Sequence, residues 1–166
     1  PTRTFTYSYS TGGQLLQVTD PLNGKMKYTY LVNGPMKSME DKNQNKVDLI
    51  YGDISNPQDL EAIKNIEVAI HLAALIPPFA DEHPELAKKV NTEGTKNLLR
   101  QLEKQSPKAF FMYSSSISVY GDRIETPYIE GEDALIPSEG DAYAATKIAS
   151  EKLVKESNLD WTIFRL

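Results

Sequence analysis

Tyr143 and Lys147 are the two residues of this sequence best suited to acid-base chemistry. They lie four positions apart in a segment rich in Ala, Lys and Glu, so we expect them to share one face of a helix. A phenol ionises near pH 10, and its use near neutrality requires a pKa lower by roughly three units, about 4 kcal/mol. A neighbouring ammonium stabilises the phenolate, so Tyr143 is a candidate acid/base whose pKa Lys147 lowers.

Ser116 is the third candidate for this chemistry. It ends the run Ser114-Ser115-Ser116, which follows the apolar segment Ala109 to Tyr113. A short β-prone run that ends in small polar residues is typical of a buried strand whose last side chains reach the sheet edge, where α/β proteins keep their active sites. Ser116 can donate a hydrogen bond to the substrate oxygen on which Tyr143 acts. The alternative interpretation is a surface Tyr and a solvated Lys, because Tyr-x-x-x-Lys also occurs by chance.

The elements that position these residues alternate between strand and helix from residue 47 onward. This alternation predicts an α/β fold with a parallel sheet. The continuous apolar run from Val68 to Ala74 indicates a strand buried on both faces. The expected strands are Val47 to Tyr51, Val68 to Ala74, Ala109 to Tyr113 and Trp161 to Leu166, and the expected helices are Asn56 to about Asn65, about Pro84 to Lys104 and Tyr143 to Ser157.

Residues 1–46 carry an internal repeat with a step of 21 residues. The residues Tyr9, Gly13, Val18, Asp20 and Lys25 recur as Tyr30, Gly34, Met39, Asp41 and Lys46. Each unit predicts a β-hairpin with a Gly turn, and such self-similarity indicates repetitive β-structure. The run from Tyr9 to Gly24 resembles the YD-repeat family. The alternative is a fortuitous pair of hairpins. We therefore predict a β segment at 1–46 and an α/β domain at 47–166.

Composition excludes several classes of function. The net charge of -5 and the pI near 5.1 argue against nucleic acid or an anionic membrane as partner. The sequence has no Cys, which excludes disulfides and thiolate metal sites, and no cluster of His, Asp and Glu predicts a metal. No apolar run reaches the roughly 18 residues of a membrane helix. We expect no signal peptide and a cytoplasmic protein.

Five further residues are candidates for a site or for a structural role. Asp53 follows a predicted strand and can accept a hydrogen bond from an adenine amine, or it is a turn residue. Ala73 and Ala74 allow close approach of a flat ligand, or reflect tight packing. Asn91 is a buried amide that requires partners. His71 lies in an apolar strand and is more readily interpreted as a hydrogen-bonded core histidine than as a base or ligand.

Residues 47–166 resemble the extended short-chain dehydrogenase/reductase family, the NAD(P)-dependent epimerases and dehydratases. The matching segments are Gly52-Asp53-Ile54, His71-Leu72-Ala73-Ala74, Asn91-Thr92-Glu93-Gly94-Thr95, Ser114-Ser115-Ser116 with Val119-Tyr120-Gly121, Tyr143-x-x-x-Lys147 and Phe164-Arg165-Leu166. The resemblance implies a partial Rossmann-like sheet with flanking helices, and catalytic roles for Ser116, Tyr143, Lys147 and Asn91. It implies that NAD or NADP is held by Asp53, Ile54, Leu72, Ala73, Ala74, Leu75, Asn91, Ser114, Tyr143 and Lys147.

The resemblance also implies a substrate and a partner. The expected function is an NAD(P)-dependent epimerase/dehydratase-type oxidoreductase that acts on a nucleotide sugar or a similar hydroxyl/carbonyl substrate. A homodimer would form through the helices that begin near Pro84 and Tyr143. The family's opening strand and Gly-x-x-Gly-x-x-Gly turn, which bind the pyrophosphate, have no counterpart in this sequence. The alternative is therefore a non-catalytic β-repeat/α/β fusion or fragment without a cofactor.

Overall fold

The computed structural model describes residues 4–122 and 135–166. The chain forms two compact units, Pro1–Tyr51 and Gly52–Leu166. The segment between Gly121 and Tyr143 lies partly outside the described residues. Within those two ranges, no helix is long and apolar enough to cross a membrane.

The first unit is an antiparallel sheet of five strands in sequential order. The strands are β1 (Thr6–Tyr9), β2 (Leu15–Thr19), β3 (Lys25–Tyr30), β4 (Met36–Glu40) and β5 (Lys46–Asp48). Asp20 accepts hydrogen bonds from the amides of Leu22 and Gly24 at 2.7 and 2.8 Å. Asp41, one repeat later, does the same for Asn43 and Asn45 at 2.8 and 2.9 Å. The repeat found in the sequence is therefore a repeat of hairpins and turns, as predicted; membership in the YD-repeat family stays a prediction.

The strand predicted from Val47 to Tyr51 is not part of the parallel sheet, so that prediction was wrong. β5 pairs antiparallel with β4, with Val47 opposite Met39. The 21-residue step explains this result, because Lys46 is the repeat equivalent of Lys25, the first residue of β3. The repeat thus continues one strand further than the two units recognised in the sequence.

The second unit contains a parallel sheet of three strands in the order β6-β7-β8. The strands are β6 (Val68–His71), β7 (Phe110–Ser115) and β8 (Asp160–Arg165). The helices are α1 (Phe79–Glu82), α2 (Pro84–Ala87), a π-helix (Lys88–Glu93), α3 (Gly94–Gln105) and α4 (Ala142–Glu156), with 3₁₀ turns at Pro57–Leu60 and Ile117–Tyr120. The predicted α/β class is confirmed. The helix expected from Asn56 is a single 3₁₀ turn, and Asn65 has a left-handed backbone with φ 56° that ends any helical continuation.

The core of this unit lies between the sheet and α3 and α4. Phe111 and Tyr113 of β7 are 0% and 1% exposed. They belong to one apolar cluster with Leu98, Leu102 and Val154 of the two helices. Along the stretch expected to be one helix from about Pro84 to Lys104, Gly94, Leu98 and Leu102 are buried, whereas Leu86 near its start is 42% exposed.

The opposite face of the sheet is apolar and exposed. Val68 and Ile70 of β6 are 54% and 64% exposed, and Phe110 and Phe164 on the neighbouring strands are 39% and 44% exposed. The sequence predicted that the strand beginning at Val68, now β6, is buried on both faces. Among the residues that the structure describes, that prediction was wrong. The reason is that α3 and α4 pack on one face of the sheet, whereas parallel sheets normally carry helices on both.

Candidate functional site

The N-terminus of α4 holds Tyr143 in the first turn of the helix. Asp141 is the N-cap and accepts a hydrogen bond from the amide of Ala144 at 2.7 Å. The amide of Tyr143 itself donates to Asp81 of α1 at 3.1 Å. Two carboxylates thus satisfy two of the amides that a helix leaves without an internal partner. The position of the Tyr143 backbone is consequently set from both sides.

Lys147 lies one turn further along the same face of α4 and is 3% exposed. Its Nζ donates to the carbonyl oxygen of Ser114 at 2.6 Å. The ammonium is 5.5 Å from the ring centre of Tyr143 and 5.0 Å from that of Tyr113. The structure therefore brings Tyr143, Lys147 and the end of β7 together, as the spacing in the sequence predicts.

Ser116 completes this group at the carboxyl end of β7. Its Oγ caps the 3₁₀ turn Ile117–Tyr120 by accepting from the amide of Ser118 at 3.3 Å. A hydrogen bond between Ser116 and Tyr143 acts to lower the pKa of the phenol. Gly121 ends the turn with φ 65°, and a Cβ there would collide with the carbonyl oxygen of Ile136, so only glycine fits.

The pKa values differ from the expectation that Lys147 activates Tyr143. Burial raises the pKa of Tyr143, the hydrogen bond with Ser116 lowers it and the charge of Asp141 raises it, with a net increase. Burial also lowers the pKa of Lys147 to about 8. The ammonium is thus only partly charged at slightly alkaline pH, and its nearest partner is a carbonyl oxygen. The raised pKa keeps the Tyr143 phenol protonated at neutral pH.

Asn91 joins the site to the segment that follows β6. It is 1% exposed and lies within the π-helix, a helix form that occurs often at functional sites. Its Oδ1 accepts from the amide of Leu75 at 2.7 Å, and its Nδ2 donates to the Leu75 carbonyl and to Thr146 Oγ1, each at 3.0 Å. The partners required by a buried amide are therefore a loop backbone and α4.

His71 is a core histidine, which confirms the interpretation preferred from the sequence. It is 3% exposed, and its Nε2 lies 2.9 Å from Thr95 Oγ1. Its ring packs against Phe111 and Tyr113, with centroid distances of 6.0 and 5.6 Å. Burial, and then the positive charge of Lys147, lower the pKa of His71 to about 4. It is consequently neutral at physiological pH.

The residues expected along the dinucleotide lie at the open end of β6. Leu72 is 69% exposed and Ala73 is exposed, whereas Ala74 and Leu75 are half-buried. β6 lies at the edge of the three-stranded sheet, and the segment that follows it is held to the buried Asn91 through Leu75. Residues 4–122 and 135–166, which the structure describes, contain no Gly-rich turn at this edge to cradle a pyrophosphate.

Asp53 and Ile54 have structural partners of their own. Asp53 is exposed; its Oδ1 accepts from the amide of Ser55 at 2.8 Å, and its amide donates to Asp59 at 2.8 Å. The hydrogen bonds from Ser55 lower the pKa of Asp53. Ile54 packs so closely on α3 that a Cβ at Gly94 would lie 2.8 Å from its Cγ2. This geometry is that of a turn residue, the alternative considered for Asp53.

Sequence reasoning missed a buried ion pair behind the site. Glu151 of α4 is 0% exposed and binds Arg165 of β8 through two hydrogen bonds of 2.8 and 2.9 Å. Ser115 also donates to Glu151 at 2.7 Å. The spacing was available in the sequence, because Tyr143, Lys147 and Glu151 follow one another at intervals of four residues.

Comparison with known proteins shows which families have similar sequences and folds. The family model of the 3-beta hydroxysteroid dehydrogenase/isomerase family matches residues 14–163. The 3 beta-hydroxysteroid dehydrogenase type 7 of Mus musculus is 30% identical over 118 residues, which are 68% of this chain and 31% of the relative. The UDP-glucose 4-epimerase of Vibrio cholerae is 31% identical over 150 residues, which are 84% of this chain and 44% of the relative.

A solved structure supports the same assignment. RMD from Pseudomonas aeruginosa, complexed with NADPH, superposes with a TM-score of 0.61 at 29% identity, over 69% of this chain and 41% of that chain. NADPH belongs to the cofactor class predicted from the sequence. The chain spans 31% and 44% of the lengths of the two curated relatives. The predicted resemblance to the NAD(P)-dependent epimerases and dehydratases is confirmed, and the chain belongs to the 3-beta hydroxysteroid dehydrogenase/isomerase family.

Proposed function

We propose that this chain carries the proton-transfer site of an NAD(P)-dependent oxidoreductase of the epimerase/dehydratase type. The observation that supports this function is the convergence of Tyr143, Lys147 and Ser116 at the carboxyl end of β7. Tyr143 Oη exchanges a proton with the substrate oxygen, and Ser116 donates a hydrogen bond to the same oxygen. Lys147 lies beside the Tyr143 ring and, when it is protonated, supplies a positive charge near the phenol.

The described residues fit one part of NAD(P) better than another. The open segment after β6, held by Asn91 at Leu75, and the Lys147 side chain suit the nicotinamide and its ribose. When bound, NAD(P) supplies the acceptor or donor of hydride at the substrate carbon. Asp53 and Ile54 are proposed to lie near the adenine, and Ser114 near the nicotinamide. The pyrophosphate cradle is the part for which the sequence offers no Gly-rich turn.

The substrate that we propose is a nucleotide sugar, or a compound with a similar secondary hydroxyl or carbonyl. The similarity to a UDP-glucose 4-epimerase supports a nucleotide sugar, and the similarity to 3 beta-hydroxysteroid dehydrogenases supports a steroid alcohol as the competing substrate. Both are secondary alcohols, which a Tyr acid/base serves by the same proton transfer. We further propose a cytoplasmic location for the enzyme.

A homodimer through the outer faces of α2 and α4 is proposed as the assembly. A groove of about 300 Å³ runs between these helices. The α4 side of the groove presents only short side chains, among them Ala142, Ala145 and Ala149. Short side chains let the backbones of two helices approach closely. Sedimentation analysis of the chain and of Ala145→Glu tests this assembly.

The second candidate function is a non-catalytic binding or structural module without cofactor. The absence of the Gly-rich turn and the raised pKa of Tyr143 favour it. A nucleotide-binding measurement on the purified chain discriminates between the two candidates.

The decisive experiment is a thermal-shift and Trp161 fluorescence titration with NAD, NADP and their reduced forms. A ligand at 100 times its Kd adds about 2.7 kcal/mol of stability, a readily measured shift. Lys147→Met should abolish the shift, while Lys155→Met, which changes a half-exposed lysine on the same helix, should keep it. Absence of a shift in the unmodified chain would favour the non-catalytic module. Where binding is seen, Tyr143→Phe should abolish turnover with nearly unchanged cofactor affinity.

A further inference from the structure

The carboxylate of Glu151 is a buried charge that the proposed chemistry does not use. Its side chain is 0% exposed and accepts hydrogen bonds from Arg165 Nε and Nη2 and from Ser115 Oγ, with Lys155 Nζ at 3.4 Å. Burial alone would raise the pKa of Glu151, but the hydrogen bonds from Arg165 and Ser115 outweigh it and the net pKa is lowered. A buried ion pair contributes little net stability compared with an apolar pair of similar volume, so stability alone does not account for this one.

Arg165 extends this geometry to a third element. It ends β8, and its side chain is 9% exposed. While Nε and Nη2 bind Glu151, Nη1 donates to the hydroxyl oxygen of Tyr120 at 2.5 Å. Tyr120 closes the 3₁₀ turn that Ser116 begins. The ion pair therefore connects α4 and β8 with the turn that carries Ser116.

Three consecutive residues at the end of β7 each contact a different residue of α4. Ser114 binds Lys147 through its carbonyl, Ser115 binds Glu151 through its hydroxyl, and Ser116 interacts with Tyr143. The three α4 residues are spaced by four, so they form one stripe about 12 Å long on the helix. Contacts at both ends of this stripe fix how far α4 can slide or rotate against the end of β7.

We propose that Glu151, together with Arg165, is a positioning residue that sets the register of α4 on β7 and thereby the contact between Ser116 and Tyr143. The catalytic importance of this contact rests on the proposed function, whereas the coupling itself is a property of the chain without any nucleotide. Glu151 acts through Ser115 and Arg165 and has no contact with a substrate in this scheme.

The test is a double-mutant cycle measured at Tyr143. The chain is labelled with ¹³Cζ-tyrosine, the Tyr143 resonance is assigned by its loss in Tyr143→Phe, and its titration is followed in the unmodified chain, Ser116→Ala, Glu151→Gln and the double variant. Because the Ser116 contact lowers the pKa of Tyr143, Ser116→Ala should raise it. Glu151→Gln should raise it in the same direction, and Ser116→Ala should add little in the Glu151→Gln background. If the chain unfolds at a pH below the pKa of Tyr143, the ¹³Cζ chemical shift of Tyr143 at pH 7.5 is compared among the four proteins instead, because it also depends on the hydrogen bond with Ser116.

An equal effect of Ser116→Ala in both backgrounds, or an unchanged Tyr143 in Glu151→Gln, would overturn the proposal. Glu151→Gln leaves Arg165 buried without its counter-ion, so Glu151→Leu/Arg165→Met is measured beside it, since replacing both charges by apolar groups is often well tolerated. The proposal is also refuted if Glu151→Leu/Arg165→Met folds, leaves the Tyr143 signal unchanged and leaves the effect of Ser116→Ala on that signal unchanged. Lys155→Ala is the matched control, expected to leave Tyr143 unchanged. Failure of NAD(P) binding leaves these results intact, because no nucleotide is added.

Discussion

Asn91 binds the backbone of Leu75 through both ends of its side-chain amide, at 2.7 and 3.0 Å. A neighbouring β-strand would satisfy the amide and carbonyl of Leu75 in the same way, but here both partners are atoms of one helix side chain. The remaining N–H donates to Thr146, so the same amide holds the loop after β6 and the helix that carries Tyr143 and Lys147. The backbone carbonyl of Asn91 in turn accepts from Thr95 and Ser150, with the Ser150 contact at 3.0 Å.

The first prediction concerns this amide. Asn91→Ala should destabilise the chain by roughly 2–4 kcal/mol, because it removes the partners of the Leu75 amide and carbonyl and one of the two hydrogen bonds of Thr146 Oγ1, which still donates to the Tyr143 carbonyl. Urea denaturation measures the loss, and hydrogen exchange at the Leu75 amide should accelerate beyond what the global loss explains. Asn97→Ala is the control, since Asn97 contacts the carbonyls of Ile54 and Ser55 at longer distances of 3.4 and 3.3 Å. Equal losses in the two variants would contradict a special role for Asn91.

The second prediction is a stability change at alkaline pH that depends on Lys147. Its pKa is about 8 in the folded chain, whereas a lysine in the unfolded chain keeps the ordinary value of 10.5, so the unfolded chain binds more protons between these values. The free energy of unfolding should therefore rise from pH 8 to 10, by at most roughly 3 kcal/mol. In Lys147→Met this rise should be absent. The free energy of unfolding is measured by urea denaturation across this pH range for the unmodified chain and for Lys147→Met. The difference between the two is then taken, because all other tyrosines and lysines are common to both proteins. A constant difference would show that Lys147 keeps its ordinary pKa.

The third prediction concerns acid stability and His71. Its pKa is about 4 in the folded chain and has the ordinary value of 6.5 in the unfolded chain, so the unfolded chain binds the extra proton as the pH falls below 6.5. Stability should decline between pH 6.5 and 4, and His71 should account for up to roughly 3 kcal/mol of the decline. His71→Gln, which retains a partner for Thr95, should flatten this part of the curve. The His71 ring resonances followed by NMR give the pKa directly, and a value near 6.5 would refute the burial argument.

The sequence predicted the parts of the molecule that depend on local pattern. Tyr143 and Lys147 meet as expected, because the four-residue spacing within one helix fixes their separation without any tertiary information. The hairpin repeat was visible for the same reason, since Asp20 and Asp41 cap equivalent turns with their own neighbours.

The parts that failed depend on what packs against an element. Val47 belongs to an apolar run that suits either sheet, and only its pairing with Met39 decides between them. The sign of the Tyr143 pKa shift depends on burial and on Ser116, neither of which spacing reveals. The sequence around Glu151 is that of a solvated helix, and only the structure shows Arg165, fourteen residues later, beside it.

The last prediction separates the two faces of the parallel sheet. Phe111 is 0% exposed among the helices, so Phe111→Ala should cost about 3–5 kcal/mol through lost burial and the cavity left behind. Ile70, 64% exposed on the other face, should tolerate replacement by Thr within about 0.5 kcal/mol. Because exposed apolar faces promote association, Ile70→Thr should also reduce binding of the dye ANS and raise the concentration at which the chain stays monodisperse in light scattering. A loss above about 1.5 kcal/mol in Ile70→Thr, with unchanged dye binding, would mean that this face is covered in solution, since only a buried Ile is so costly to replace.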